Sequence, residues 1–202
     1  MSATTADTIA RQSATKVCPS SGPALEVLGV KAKAKIKKEA AKDAARLLKA
    51  TFRQRVPIEP IGIAEELGVR VVELELERNK LGMVLIKPGA ESKIFLNQRD
   101  GVIRQRLACG LELGHYVRHS AKTNKYGRVD RIGDRSTFKE DQDLIYAEEF
   151  AACLLMPERE FSALAELGMD DLEIALRFQV PRELVQLKLR EMGFHTADLL
   201  EA

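Results

Sequence analysis

The chain is poor in cysteine, with three in 202 residues: Cys18, Cys109 and Cys153. An odd count without metal-type spacing excludes a disulfide framework and suits a reducing cytoplasm. Cys109 and Cys153 fall in apolar helical stretches, where inert buried thiols are expected rather than replacement ligands or a nucleophile. No run approaches the ~18 consecutive apolar residues of a membrane-spanning helix, so no membrane role is expected. The opening stretch MSATTADTIARQSATK lacks an apolar h-region, and no secretory signal is read there. Internal repeats are lacking as well. Neither sign of charge dominates, since 32 Lys and Arg face 30 Asp and Glu for a net +2. What is present is a 45% hydrophobic, 31% charged composition, that of a globular protein with a core to bury.

That near-neutral total is unevenly spread. From Lys31 to Arg55 seven lysines and three arginines face only Glu39 and Asp43, a local +8 that leaves −6 for the rest. A basic helix over 31–55 could meet nucleic acid or an acidic partner face. Its plainer reading is a solvated helix that packs through Ile36, Ala40, Leu47, Leu48 and Phe52. Residues 1–30, rich in Ser, Thr, Gly and Pro, carry no apolar period and are expected to be a disordered tail.

The periodicity predicts helices over Ile36 to Arg53 and Ile61 to Leu67, the second stopped at Gly68. VRVVELELE (69–77) alternates apolar and acidic residues, which predicts a strand with one wet face. GMVLIK (82–87) and KIFLN (93–97) follow, and together the three runs predict a small three-stranded antiparallel sheet packed on helices. Helical spacing then returns over Val102 to His119 and Asp141 to Met156, around a polar and basic loop from Ala121 to Lys139. Shorter helices at about 170–177 and 181–192 close the chain. A few strands followed by a run of helices is an α+β arrangement. The domain reading is a body over 56–157 and a C-terminal helical segment over 158–202.

The informative stretch is RLACGLELGHYVRH, Arg106 to His119. An HExxH helix places two histidines one turn apart, so that both imidazoles reach one zinc ion. The glutamate between them takes a proton from metal-bound water, and a later element supplies a third ligand. Here Glu112 and His115 stand in register for the base and the second histidine, whereas Leu111 occupies the first-histidine position. His115 and His119 form a further pair at i and i+4. Glu112, on an inward-facing turn, needs a donor such as an arginine or backbone amides, or else stays protonated.

These residues resemble the ImmA/IrrE family of bacterial and phage metallopeptidase-like proteins over roughly residues 55–193. The family's RFTLAHELGH aligns with RLACGLELGH without a gap, and AEEFAACLLMP (147–157) is similar to its AN-x-FA-x-x-LLMP. IALRFQVPRELVQLKL (174–189) is a weaker likeness to its closing LA-x-x-F-x-VS segment, and the strand ending at Asn97 suits its layout. The resemblance implies an α+β zincin-like fold and a cytoplasmic protein of phage, mobile-element or stress regulation, whose active relatives cleave transcriptional repressors. Carried over residue by residue, it puts the first zinc ligand on Leu111 and the third on Leu144, or on Tyr146 if the offset shifts. Neither is a carboxylate, and Glu148 is a better stand-in than Asp143. His115 is a residual ligand at most. A site needs about three protein ligands, so zinc is expected only if the protein is active.

Three functions are therefore in view. The first is a degenerate, metal-free regulatory member that binds another protein, a transcriptional regulator or phage protein. Its contacts would come from the altered cleft and from Lys122, Lys125, Arg128, Arg131 and Arg135 of the 121–139 loop. The second is a working zinc endopeptidase with Glu112 as general base. The third is a DNA-binding module using the basic helix and the C-terminal, helix-turn-helix-like pair, although Glu183 and Glu191 favour packing of that pair over base reading.

Overall fold

A computed structural model describes residues 29–51, 55–87, 89–123, 125–131 and 141–194. Residues 1–28 of the expected tail, Cys18 among them, lie outside the described residues, as do Phe52 and Arg135. Among those described, seven helices and four strands follow in the order α1 (Val30–Ala50), α2 (Pro60–Glu66), β1 (Val69–Leu74), β2 (Lys80–Ile86), β3 (Ser92–Asn97), α3 (Val102–Ser120), β4 (Tyr126–Arg131), α4 (Gln142–Leu155), α5 (Glu158–Glu166), α6 (Asp171–Phe178) and α7 (Arg182–Glu191). The α+β expectation holds.

The sheet departs from the expected antiparallel meander. Its order is β1-β3-β2-β4, with β1 parallel to β3 while β2 runs antiparallel to both β3 and β4. Strands consecutive in sequence usually pair. Here β3 instead takes the inner place, because Ile94, Phe95, Leu96 and Asn97 are all buried, whereas β1 alternates and tolerates an edge. Asn97 latches this arrangement. Its side-chain amide donates to the Lys80 carbonyl at 3.1 Å, and its oxygen accepts from the amides of Leu76 and Arg99.

The fourth strand is a second correction. Residues 126–131 of the predicted loop form β4, whose sheet-forming signal was hidden because its inward residues are polar. Helix α5 was also not predicted; its short apolar face is carried by Phe161 and Ala165.

Helix α1 begins at Val30, ahead of the expected Ile36, and it packs into the main core through Ile36, Ala40, Ala44, Leu47 and Leu48. It is tied to α4 by Tyr146, whose hydroxyl donates to Asp43 at 2.7 Å, and by Lys37, which pairs with Glu149 and Glu191. A second cluster gathers Leu155 and Met156 with α5, α6 and α7 through Phe161, Ile174, Phe178, Val185 and Leu189. Arg106 of α3 reaches from one cluster toward the other. It is buried and donates to the carbonyls of Ile58 and Gln179 and to the Glu59 carboxylate.

The helix pair α3–α4 is closely approached. Gly110 and Gly114 lie one turn apart on the face of α3 that meets α4, and a Cβ added at Gly114 would sit 2.9 Å from the Ala147 Cα. Overpacking costs about 1–3 kcal/mol, and alanine returns about 1 kcal/mol of helix propensity. Gly114→Ala is therefore expected to lower the urea midpoint; an unchanged or higher midpoint would show that the helices separate freely.

Candidate functional site

The site lies where the middle of α3 faces β2, β4 and the start of α4. Gly101 opens α3 in extended backbone, and the helix buries an uninterrupted run from Ala108 to His115. Such a run is buried all round because α4, α2 and the sheet cover it. Glu112 and His115, three residues apart, thus share a face inside the protein.

Strand β4 supplies the partners. Its period of two directs Tyr126, Arg128 and Asp130 toward α3. The Nε2 of His115 lies 2.9 Å from Asp130 Oδ2, and Tyr126 Oη lies 3.4 Å from Nδ1 of the same ring. With Asp130 ionised, the network assigns the ring proton to Nε2, which donates to the carboxylate, and leaves Nδ1 to accept from Tyr126. Arg128 donates from Nε to Asp130 at 2.6 Å and from its terminal nitrogen to Asp141 at 2.7 Å. Asp141 in turn caps α4 by accepting from the amides of Asp143 and Leu144 at 2.8 and 3.1 Å. Burial opposes ionisation of Asp130 and Asp141. His115 and Arg128 nevertheless hold Asp130 below the ordinary carboxylate range, and Arg128 with the two amides does the same for Asp141.

Glu112 stands apart from this chain of contacts. It is 0% exposed and neither carboxyl oxygen has a hydrogen-bond partner. Burial first, and then the Asp130 charge, push its pKa well above the usual value against the smaller pull of Arg128, which favours the protonated acid. The backbone above it belongs to Gly82 of β2, where an added Cβ would lie 2.8 Å from Glu112 Oε1. That glycine is required by close approach rather than by a turn.

The second histidine of the motif region is also spoken for. His119 stacks on Tyr126 with ring centres 3.9 Å apart, and its Nε2 lies 3.0 Å from Asp143 Oδ2. Asp143 takes the Arg118 guanidinium at 2.7 Å, and Arg118 covers the Tyr146 ring. Burial lowers the pKa of His119 in spite of Asp143.

The residues read from sequence are brought together only in part. Glu112 and His115 share the buried centre, while Leu111 and Leu144 are 4% and 5% exposed apolar side chains. Leu111 packs with Ala147 and Ala151 of α4. Arg128, expected to face a partner, spends its guanidinium inside on two aspartates. Lys122, Lys125 and Arg131 are exposed. Burial raises the Cys109 thiol far above its usual value and pushes Cys153 up to about 12, the state of unreactive thiols. The sequence reading missed Asp130, Tyr126 and Asp141. A signal was available for each: the every-second-residue spacing of Tyr126, Arg128 and Asp130, and an aspartate just before a helical period.

The described residues of this centre do not fit a zinc ion. Among the described residues no group of three His, Cys, Asp or Glu side chains converges as a metal site would require. The ring nitrogens of His115 face Asp130 and Tyr126, and Arg128 already supplies the cation beside Asp130. No helix among the described residues is long and apolar enough to cross a membrane.

The model of the M78 peptidase, IrrE N-terminal-like domain matches residues 64–190. A Mycobacterium tuberculosis transcriptional regulator is similar in structure at 15% identity and a TM-score of 0.48, covering 77% of this chain and 46% of that one. The chain therefore spans less than half of that regulator's length. No curated protein matches. The match runs from α2 to α7 and takes in Glu112 and His115 on α3, so the chain belongs to the ImmA/IrrE family.

Proposed function

We propose that this protein is a metal-free member of its family that works by binding another protein in phage, mobile-element or stress regulation. One observation carries the reading: the centre is held together by a His115–Asp130–Arg128–Asp141 network, and the family resemblance would put the remaining ligand positions on Leu111 and on Leu144 or Tyr146. An ion entering there would have to displace the proton on His115 and sit against a guanidinium, both unfavourable. The surface suits a protein partner. Leu172 and Leu176, one turn apart on α6, are 50% and 65% exposed, and Leu167 nearby in sequence is 77% exposed. Helix α7 has less to offer nucleic acid. Its Arg182 pairs with Asp171, and its Lys188 donates to the Met156 carbonyl over the Phe161 ring.

Metal analysis of protein purified without chelator tests the reading. Zinc far below stoichiometry is expected, and about one tightly held zinc per chain would end it. The retention of Glu112 and His115 in register favours one rival, a zinc endopeptidase cleaving a transcriptional repressor. That rival requires repressor cleavage that stops on Glu112→Gln. On the metal-free reading, wild-type protein and this variant leave the repressor equally intact.

A further inference from the structure

Helix α1 has one face in the core and another wholly in water. At about 100° per residue, Lys31, Lys35, Lys38, Lys42, Arg46 and Lys49 fall within about 80° of arc. All six are exposed, and the stripe lies opposite the buried Ile36, Ala40, Ala44 and Leu47. The helix's two acids stand outside it: Asp43 is turned toward the Tyr146 hydroxyl, and Glu39 lies at its border. Arg46 pairs locally with Asp43, whereas the five lysines of the stripe make no salt bridge with any described carboxylate. A surface built only for solubility intersperses both signs. Here one sign is drawn out along a rigid rod, on a protein whose residues outside 31–55 sum to −6.

We propose that this stripe docks the phosphodiester backbone of duplex DNA without reading its bases. The eighteen-residue reach from Lys31 to Lys49 spans about 27 Å at 1.5 Å per residue. Over that length each DNA strand presents about eight phosphates at 3.4 Å of axis apiece. Lysines on flexible stems act as point charges suited to a repeating anion. The stripe has no aromatic residue and a single arginine, so it lacks the anchors a specific acidic protein face would need. It is also unsuited to a lipid surface. An interfacial helix buries its apolar face among acyl chains, and the apolar face of α1 is already occupied by the protein core. This surface is separate from the buried centre, so its test is independent of the metal-free reading.

The experiment is fluorescence anisotropy with a labelled 20-base-pair duplex, full-length protein and a salt titration. With about five phosphate contacts, log K should fall against log salt with a slope of about −4 to −5, an affinity loss of about 500-fold between 50 and 200 mM. Duplexes of scrambled sequence should bind equally. Lys35→Gln/Lys38→Gln/Lys42→Gln should make the slope shallower by about 3, with an unchanged melting temperature because glutamine keeps the helix. The control Lys87→Gln/Lys122→Gln/Lys125→Gln alters net charge equally but leaves the stripe, and should keep the original slope. No binding at 50 mM salt overturns the proposal, and so does equal loss in both triple variants. Preference for vesicles containing phosphatidylglycerol over the duplex overturns it too.

Discussion

Asp130→Ala is expected to destabilise the protein by about 3 kcal/mol, the lower end of the 3–5 kcal/mol for removing one partner from a buried ion pair. Asp130 accepts from both His115 and Arg128, and its removal leaves the His115 Nε2 proton without an acceptor in a fully buried position. Arg128 keeps Asp141, which is why the upper end is not reached. Asp130→Asn retains an acceptor for His115 while losing the charge, and its cost should be about half as large. Urea unfolding at pH 7 measures both. A loss under about 1 kcal/mol for the alanine variant would mean that water replaces the carboxylate and that the centre is open. The acid limb adds a check. The pKa of Asp130 is lowered in the folded state, so its stabilisation is present above the unfolded value and is lost as pH falls through the folded one. The alanine variant, having no such term, should lose less stability than wild type as pH falls below about 4.

The same residues show how far the sequence was legible. Helices α3 and α4 could be placed because their apolar residues recur at three and four positions, and the family likeness followed from their motifs. Glu112 and His115 were found by spacing along a single helix, which is a local property. Asp130 was not, because the every-second-residue spacing of Tyr126, Arg128 and Asp130 marks a strand but not its neighbour, and the role of Asp130 comes from the pairing of β4 with β2. Strand β4 also inverts the usual signal. Its inward side carries Arg128 and the buried Asp130, so a hydrophobicity pattern reads it as loop. The parallel pairing of β1 with β3 was missed for a related reason. Alternation identifies a strand's wet face but not its neighbour, and the order is settled by which strand can be buried on both faces. The basic helix was visible as a charge count. Its core face was legible too, in the spacing of Ile36, Ala40, Leu47 and Leu48, and the structure adds the contacts with α4.

Glu112→Leu should raise stability by about 1–3 kcal/mol near pH 4, the cost ordinarily carried by a buried polar group that has no hydrogen bond. The substitution keeps roughly the side-chain volume beneath Gly82 and removes two oxygens that find no partner there. A carboxyl raised by burial also imposes a pH dependence of definite sign. Above the unfolded pKa, near 4.3, the unfolded chain has released this proton while the folded protein still holds it. Stability from this group therefore falls with rising pH, by about 1.4 kcal/mol per unit, until the elevated folded pKa is reached. His119 acts oppositely. Its lowered folded pKa makes stability rise with pH up to the unfolded histidine value, so the wild-type curve mixes two slopes. Subtracting the two curves removes the histidine contribution, which wild type and Glu112→Leu share. The difference should widen in favour of the variant as pH rises above about 4.3. Parallel curves, or a variant less stable than wild type at pH 7, would show that Glu112 is ionised and partnered in solution. A residue kept in register at this standing cost would, on the metal-free reading, have no catalytic duty to offset it, and leucine at its position would be the more stable choice.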